Sequence, residues 1–325
     1  MIDVEVIALT GGIGGCKLAL GLQGILSPGA LACIVNTGDD FQHLGLNISP
    51  DLDTALYTLS GCNDPVQGWG RRDETWTFMK VLADLGGDTW FALGDGDLAL
   101  HVERTRRLAA RETLSSIMDD MRRRCGVPTW LLPMTDSPVS TLVETEDGTL
   151  EFQDYFVRRR CEPRVTAVRY AGAERATPTT AIYVALASRS LRSIVVCPSN
   201  PYLSIDPILA IPALVERLRK ASVPIVAICP LIGGAAVKGP TAKILDELEC
   251  PRTPVAIAHH YRGLIDGLVI DHADREWAER CDCATFVTAT LMKTLDDRLR
   301  LATETLQFAD RLAAERLHRG DGRGA

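Results

Sequence analysis

The 325-residue sequence lacks the marks of several protein classes. It has no basic excess, since 35 lysines and arginines stand against 42 aspartates and glutamates and leave a formal net charge of −7. A general nucleic-acid binder carries a basic surface, so no nucleic-acid partner is expected. A phosphorylated small molecule stays open, because backbone amides and one or two cations suffice for it. No apolar run reaches the roughly 18 residues of a membrane-spanning helix, and the N-terminus has no signal-peptide pattern. The expectation is a cytoplasmic protein without a membrane partner. The ten cysteines contain no C-x-x-C pair, which argues against a zinc ribbon. Cys33, Cys197 and Cys229 sit in apolar runs, where a reduced thiol behaves as a small hydrophobe. Also missing are G-x-G-x-x-G, the P-loop pattern and G-x-S-x-G, the signatures of NAD, Walker-type nucleotide and serine-hydrolase sites.

What remains has ordinary globular composition, 46% apolar and 24% charged, in a chain long enough to bury a core without disulfide or metal staples. Residues 4–9 form an apolar run that ends in a glycine cluster at 10–15, and residues 17–26 follow at helical spacing. Strand, tight turn and helix in that order open a Rossmann-like sheet. Further buried strands are predicted at 31–35, 194–197, 224–229, 254–258, 267–270 and 285–288, with helices at 208–220 and 241–248. Continuous apolar strands alternating with helices indicate an α/β fold with a mostly parallel sheet covered on both faces. The middle differs. Residues 96–125 read as helical with Thr113 as an N-cap, and 140–157 alternate about an Asp147-Gly148 turn as a hairpin. Residues 55–175 are therefore expected to be a mixed helix/hairpin insertion in one domain spanning 1–318. The last helix is expected at 293–317, with 319–325 a disordered tail.

Candidate chemistry gathers at the predicted strand ends. Glycines at 11, 12, 14 and 15 with Lys17 behind them suit an anion at a helix N-terminus, or else simply let a helix pack on the sheet. Asp39 and Asp40 follow the second strand, and Asp51 and Asp53 stand i,i+2 near a helix start. Such carboxylates hold a hard cation such as Mg²⁺, or cap the helix. Asp95 and Asp97 fit a turn or a ligand equally. Ser199 and Asn200 lie between two prolines after a strand, and a second glycine loop at 233–234 leads to Lys238. Arg158, Arg159 and Arg160 suit a solvated hairpin end, and His259 and His260 follow a predicted strand. Trp69, Trp76 and Trp90 suit the core or a rim.

The strings TGGIGGCKLALGL (10–22), VNTGDDFQHLGLNISPDLDTALYTL (35–59), GWGRRDETW (68–76), LGDGDLALH (93–101), LPMTDSPVST (132–141), FQDYFVRRRCEP (152–163), PSNPYLSIDPILAIP (198–212) and GGAAVKGPTAKIL (233–245) resemble the 2-phospho-L-lactate transferase family, in order and over almost the whole chain. The resemblance implies a Rossmann-like homodimer and a Mg²⁺-dependent reaction. A guanosine-diphospho donor gives phospholactate, phosphoenolpyruvate or 3-phosphoglycerate to the ribityl hydroxyl of the deazaflavin Fo. GMP leaves, and a coenzyme F-420 precursor forms. By that resemblance Asp51 and Asp53 are the catalytic residues and, with Asp39, hold the metal. Gly11, Gly12, Gly14, Gly15, Lys17, Ser199 and Asn200 bind the donor, and Asn36, Thr37 and Asp40 face Fo. The rival is a non-catalytic nucleotide-binding regulator of the same fold. Four positions depart from the family's usual residues: Cys16 for alanine, Gly96 for arginine, Arg111 for glycine and Ala289 for aspartate.

Overall fold

A computed structural model describes residues 3–321 except Lys238, so the cation expected there and the tail from 322 lie outside the described residues. Among them a seven-stranded sheet forms the centre. Its strands are β1 (Val6–Thr10), β2 (Leu31–Val35), β3 (Trp130–Pro133), β4 (Ser193–Val196), β5 (Ile225–Ile228), β6 (Gly267–Asp271) and β7 (Ala284–Thr288). Every pairing is parallel, in the order β7-β6-β5-β4-β1-β2-β3. All residues of β1, β2, β4, β5 and β6 are buried, as expected of strands covered on both faces. Apolar clusters lie on both sides of the sheet. The strand order reverses between β1 and β4, and the crevice beyond the C-terminal ends at such a point is where an open α/β sheet binds ligands.

The first helix, α1 (Gly12–Ile25), leaves β1 with almost no connection and packs against the C-terminal helix Leu295–Asp321. That helix passes the expected end at 317 and reaches Asp321. Between β2 and β3 come α2 (Pro50–Leu59), α3 (Thr77–Asp84), α4 (Asp95–Ala109) and α5 (Leu114–Arg124). Thr113 caps α5 as expected, its hydroxyl accepting from the Ser116 amide at 3.2 Å. Arg111, where the family often has glycine, follows α4 at φ 68°, the left-handed region that ends many helices and favours glycine.

Three sequence expectations change. β3 lies within 55–175, so the main sheet divides the expected insertion into two excursions. The second carries an antiparallel sheet of residues 140–145, 148–151 and 165–171. Its turn sits one residue earlier than expected, because Thr145 pairs with Gly148. The returning arm also stops at Glu151; residues 154–158 wind into a helical turn instead. Residues 254–258, expected as a strand, belong to the helix Pro254–His260, whose first turn is capped by Thr253. Pro254 fits the first helical position, where its missing N–H costs nothing. Among the described residues no helix is long and apolar enough to cross a membrane.

Candidate active site

The loops at the C-terminal ends of β1, β2 and β4 open into one cavity of about 680 Å³. Gly11, Gly12, Gly14, Lys17, Asp39, Asp51, Asp53, Ser199 and Asn200 line it, so nine of the thirteen residues to which the resemblance assigns a site role come together there. Gly15, Asn36, Thr37 and Asp40 lie outside its lining.

The glycine turn serves close packing. A Cβ at Gly14 would stand 2.4 Å from the Pro198 carbonyl oxygen, and one at Gly15 would stand 2.2 Å from Thr10 Oγ1. Gly15 is therefore a packing residue, excluded from the cavity by the contact that requires it. Backbone cannot move aside as a side-chain end can. Gly14→Ala should thus destabilise the protein by about 1–3 kcal/mol. The substitution should also shift the loop that carries Ser199 and Asn200, and a melting curve checks the loss of stability.

Behind the turn lies a set of buried carboxylates. Asn36 is fully buried, and its amide nitrogen donates to Asp51 Oδ2 at 2.9 Å and Asp39 Oδ1 at 3.2 Å, while its own oxygen accepts from the Gly38 amide. The residue expected to face the acceptor instead ties two carboxylates together from beneath. Thr37 is buried beside it, and Asp40 is turned inward to accept from the Ser49 hydroxyl at 2.7 Å. Asp51 also takes the Gly12 amide at 2.6 Å, linking α2 to the start of α1.

These groups share too little positive charge. Burial pushes Asp51 up to about 6, against the hydrogen bonds from Asn36 and Gly12 that favour its ionised form. Asp39 is held well above the ordinary carboxylate range by burial first, then by Asp51 and Asp40. Burial also raises Asp40, opposed by Ser49 and Arg104. A carboxyl with a raised pKa contributes stability that is complete below its unfolded pKa and is lost as pH climbs through the folded one, near 6 for Asp51.

Asp53 is placed differently. It lines the cavity, but the fully buried Arg104 forks onto both of its oxygens, with Nη1 at 3.1 Å from Oδ2. The expected metal trio of Asp39, Asp51 and Asp53 is thus not gathered as one donor set. Among the described residues no three His, Cys, Asp or Glu side chains are grouped to hold an ion. The physical reason is Arg104: a buried guanidinium requires a carboxylate, and Asp53 supplies it.

Beyond Asp53 runs a network that sequence reasoning missed. His101 lies between Asp53 and Asp97, its ring nitrogens 3.7 and 3.3 Å from their carboxylates, and the Tyr57 hydroxyl donates to Asp97. Burial alone would raise Asp97, but the bonds from His101 and Tyr57 outweigh it and hold the carboxyl below its ordinary value. Asp97, His101 and Arg104 are spaced i, i+4, i+7 on α4, and Asp53 and Tyr57 i, i+4 on α2. That spacing was available in the sequence as a polar stripe on each of two helices.

A separate part of the lining is aromatic: Trp69, Trp90, Phe91, Phe152 and Phe156. Phe152 and Phe156 stack at 5.3 Å, and Trp90 and Phe91 pack with Phe41 and His43. The helical turn at 154–158 and the loop before α4 bring these rings in. Trp69 and Trp90 are therefore cavity walls, and Trp76 is exposed outside it. Arg158 and Arg159 pair with Asp154, and Arg158 also lies over Trp90. His260 bonds to Asp206 at 2.9 Å, outside this cavity. Asp95 caps α3, as described below. Cys16 is fully buried in the core beneath the turn, where burial raises its thiol. It fills space. At Ala289 the carbonyl accepts from Arg300.

A family model described as 2-phospho-L-lactate transferase CofD matches residues 6–297. A phosphoenolpyruvate transferase of Streptomyces griseus is 37% identical over 320 residues, covering 96% of this chain and 100% of the relative. A 2-phospho-L-lactate transferase of Methanocaldococcus jannaschii is 35% identical over 308 residues, covering 94% and 98%. A solved structure of a UPF0052 family member from Bacillus halodurans has a TM-score of 0.64 over 94% of this chain and 99% of that one. At 18% identity that likeness speaks for the fold alone. The chain belongs to the 2-phospho-L-lactate transferase CofD family and is an enzyme, a transferase.

Proposed function

We propose that this enzyme moves a phospho-acid group, of the 2-phospho-L-lactate, phosphoenolpyruvate or 3-phosphoglycerate type, from a guanosine-diphospho donor to the ribityl hydroxyl of Fo. GMP is released, and the product is a coenzyme F-420 precursor. The observation that carries this reading is the make-up of one cavity: a glycine turn, Lys17 and under-neutralised carboxylates share it with a wall of aromatic rings. The first part suits a diphosphate, the second a flat deazaflavin.

The residues fit Mg²⁺ in one particular way. Mg²⁺ is commonly held by one or two carboxylates together with substrate phosphates, and needs no all-protein cage. Asp39 and Asp51 are two buried carboxylates joined by Asn36 and left without a cation of their own, so they are the pair that would hold it. When bound, it supplies charge neutralisation on the diphosphate. In this reading the Ile13 and Gly14 amides of the α1 first turn, which have no acceptor within the helix, take donor phosphate oxygens. Lys17, whose ammonium reaches the cavity near the Met292 carbonyl, adds positive charge. Ser199 has its hydroxyl committed to the Gly11 carbonyl and so holds the turn. Asn200 spends its oxygen on the Tyr202 and Leu203 amides, leaving a buried Nδ2 donor without a partner to offer the nucleotide.

The acceptor ring lies along Trp90, Phe91 and Phe156 in place of Asn36, Thr37 and Asp40. Its ribityl oxygen attacks the phosphorus that bears the acid and gives up its proton, which passes to solvent; the bond from that phosphorus to the bridging oxygen breaks, and GMP departs with that oxygen. Alignment and charge neutralisation do most of such work. The Asp53–His101–Asp97 network faces the same space and fixes the wall against which the hydroxyl is presented.

The decisive experiment incubates purified protein with Fo, Mg²⁺ and each guanosine-diphospho acid, and reads product mass and GMP. No product with any donor refutes the reading. Trp90→Ala should raise the KM for Fo about tenfold or more, the worth of one ring stacked on another, with the donor KM unmoved. Steady-state kinetics with each substrate varied in turn measure it. The homodimer expected from the family belongs to the same proposal, and light scattering on the purified protein decides it.

A further inference from the structure

The excursion from α2 to α4 carries three aromatic rings of the cavity, Trp69, Trp90 and Phe91, yet no residue of α3 within it is buried. Packing therefore does little to hold α3 itself. Two carboxylates do that, in a crossed arrangement. Glu74, just ahead of α3, accepts from the Gly96 amide at 2.6 Å and the Asp97 amide at 2.9 Å, which open α4. Asp95, the first residue of α4, accepts from the Thr77 amide at 3.1 Å, the Phe78 amide at 3.0 Å and the Thr75 hydroxyl at 2.6 Å, which open α3. Each helix is thus capped from the foot of the other, and each cap satisfies amides that the helix itself leaves without acceptors. The Glu74 side chain is 7% exposed and lies 3.5 Å from Arg71, whose guanidinium sits over the Tyr57 ring. Tyr57 in turn donates to Asp97.

The two caps lead to different parts of the cavity. Glu74 grips the start of α4, the helix that presents Asp97, His101 and Arg104. Asp95 grips the start of α3, whose far end runs through 85–93 and delivers Trp90 and Phe91. We propose that Glu74 and Asp95 are positioning residues with separate outputs, Glu74 setting the alignment of the reacting centre and Asp95 setting the acceptor wall. This rests on the proposed reaction.

Glu74→Ala and Asp95→Ala, with Glu74→Gln as the milder variant, test it in the full-length protein. A misplacement on the scale of 1 Å costs one to two orders of magnitude in turnover, so both Glu74 variants should lower kcat about tenfold or more and leave the Fo KM within about twofold. Asp95→Ala should raise the Fo KM and the Fo dissociation constant about fivefold and leave kcat within about twofold. Hydrogen exchange on the resting protein should speed at 96–98 in the Glu74 variants and at 77–80 in Asp95→Ala. Parallel loss of kcat and KM in both, tracking a shared loss of melting temperature, would mean ordinary structural caps and overturn the proposal. So would unchanged exchange and kinetics. Exchange and Fo binding need no turnover. Absence of product from the wild type with normal Fo binding therefore counts against the reaction, while exchange and binding changes that fail to separate as stated count against the clasp.

Discussion

Replacing Arg104 by methionine should cost the protein about 3–5 kcal/mol, the usual penalty for leaving a buried charge without its partner. Among the described residues Arg104 is the largest side chain with no exposure, and its guanidinium engages Asp53 on both oxygens. Methionine keeps most of the volume, so little of the loss would come from a cavity. Asp53 would remain buried beside Asp97 and Asp40 with its charge partner gone. The variant should therefore melt several degrees lower. Adding Asp53→Asn should restore roughly half of the loss, because the two groups are one unit and their effects do not add. Melting curves of the two single variants and the double variant decide it. Strictly additive losses would mean that Arg104 does not engage Asp53 as a unit, and Asp53 would return as a candidate for the metal.

That pairing also marks where sequence reasoning stops. The strands β1, β2, β4, β5, β6 and β7, the glycine turn after β1 and the carboxylates after β2 were legible, because each is a local pattern: an apolar run, then residues that a turn or helix start requires. Which carboxylate keeps its charge for chemistry was not legible. Asp51 and Asp53 sit two residues apart with the same local preferences, and what separates them is Arg104, about fifty positions onward on another helix. Asn36 failed in the same way, since its polar side chain after a strand reads as a ligand group until two buried carboxylates are found on it. The segment 254–258 was misread because a short apolar run with a proline suits a strand edge as well as a helix start. The aromatic wall comes from residues 69, 90–91 and 152–156, three segments whose meeting depends on excursions with little core of their own. The polar stripe of Asp97, His101 and Arg104 lies at ordinary helical spacing and was within reach of the sequence.

Asp39→Asn should move stability and activity in opposite directions. The substitution keeps the shape and the hydrogen bonds: the new Oδ1 still accepts from Asn36, and the new amide can donate to Gln153 once that side chain turns its own amide over. What it removes is a negative charge in a buried site already shared with Asp51 and Asp40. Because the Asp39 pKa is raised on folding, the wild type loses stability as pH climbs through that raised value, whereas the variant does not. In chelator-treated protein at pH ~8 the variant should therefore be more stable by about 1–2 kcal/mol. The advantage should vanish as the pH approaches ~4, where Asp39 in the unfolded chain is also protonated. Turnover should fall about 100- to 1,000-fold at saturating substrates, the scale of losing one charge-neutralising element of a transition state. Addition of Mg²⁺ with GDP should raise the melting temperature of the wild type and do so far less in the variant, since a ligand stabilises only the state that binds it. A variant equally unstable and inactive would make Asp39 a structural residue. One more stable, inactive and indifferent to Mg²⁺ would show that the buried charge is retained at the expense of the fold because the reaction needs it.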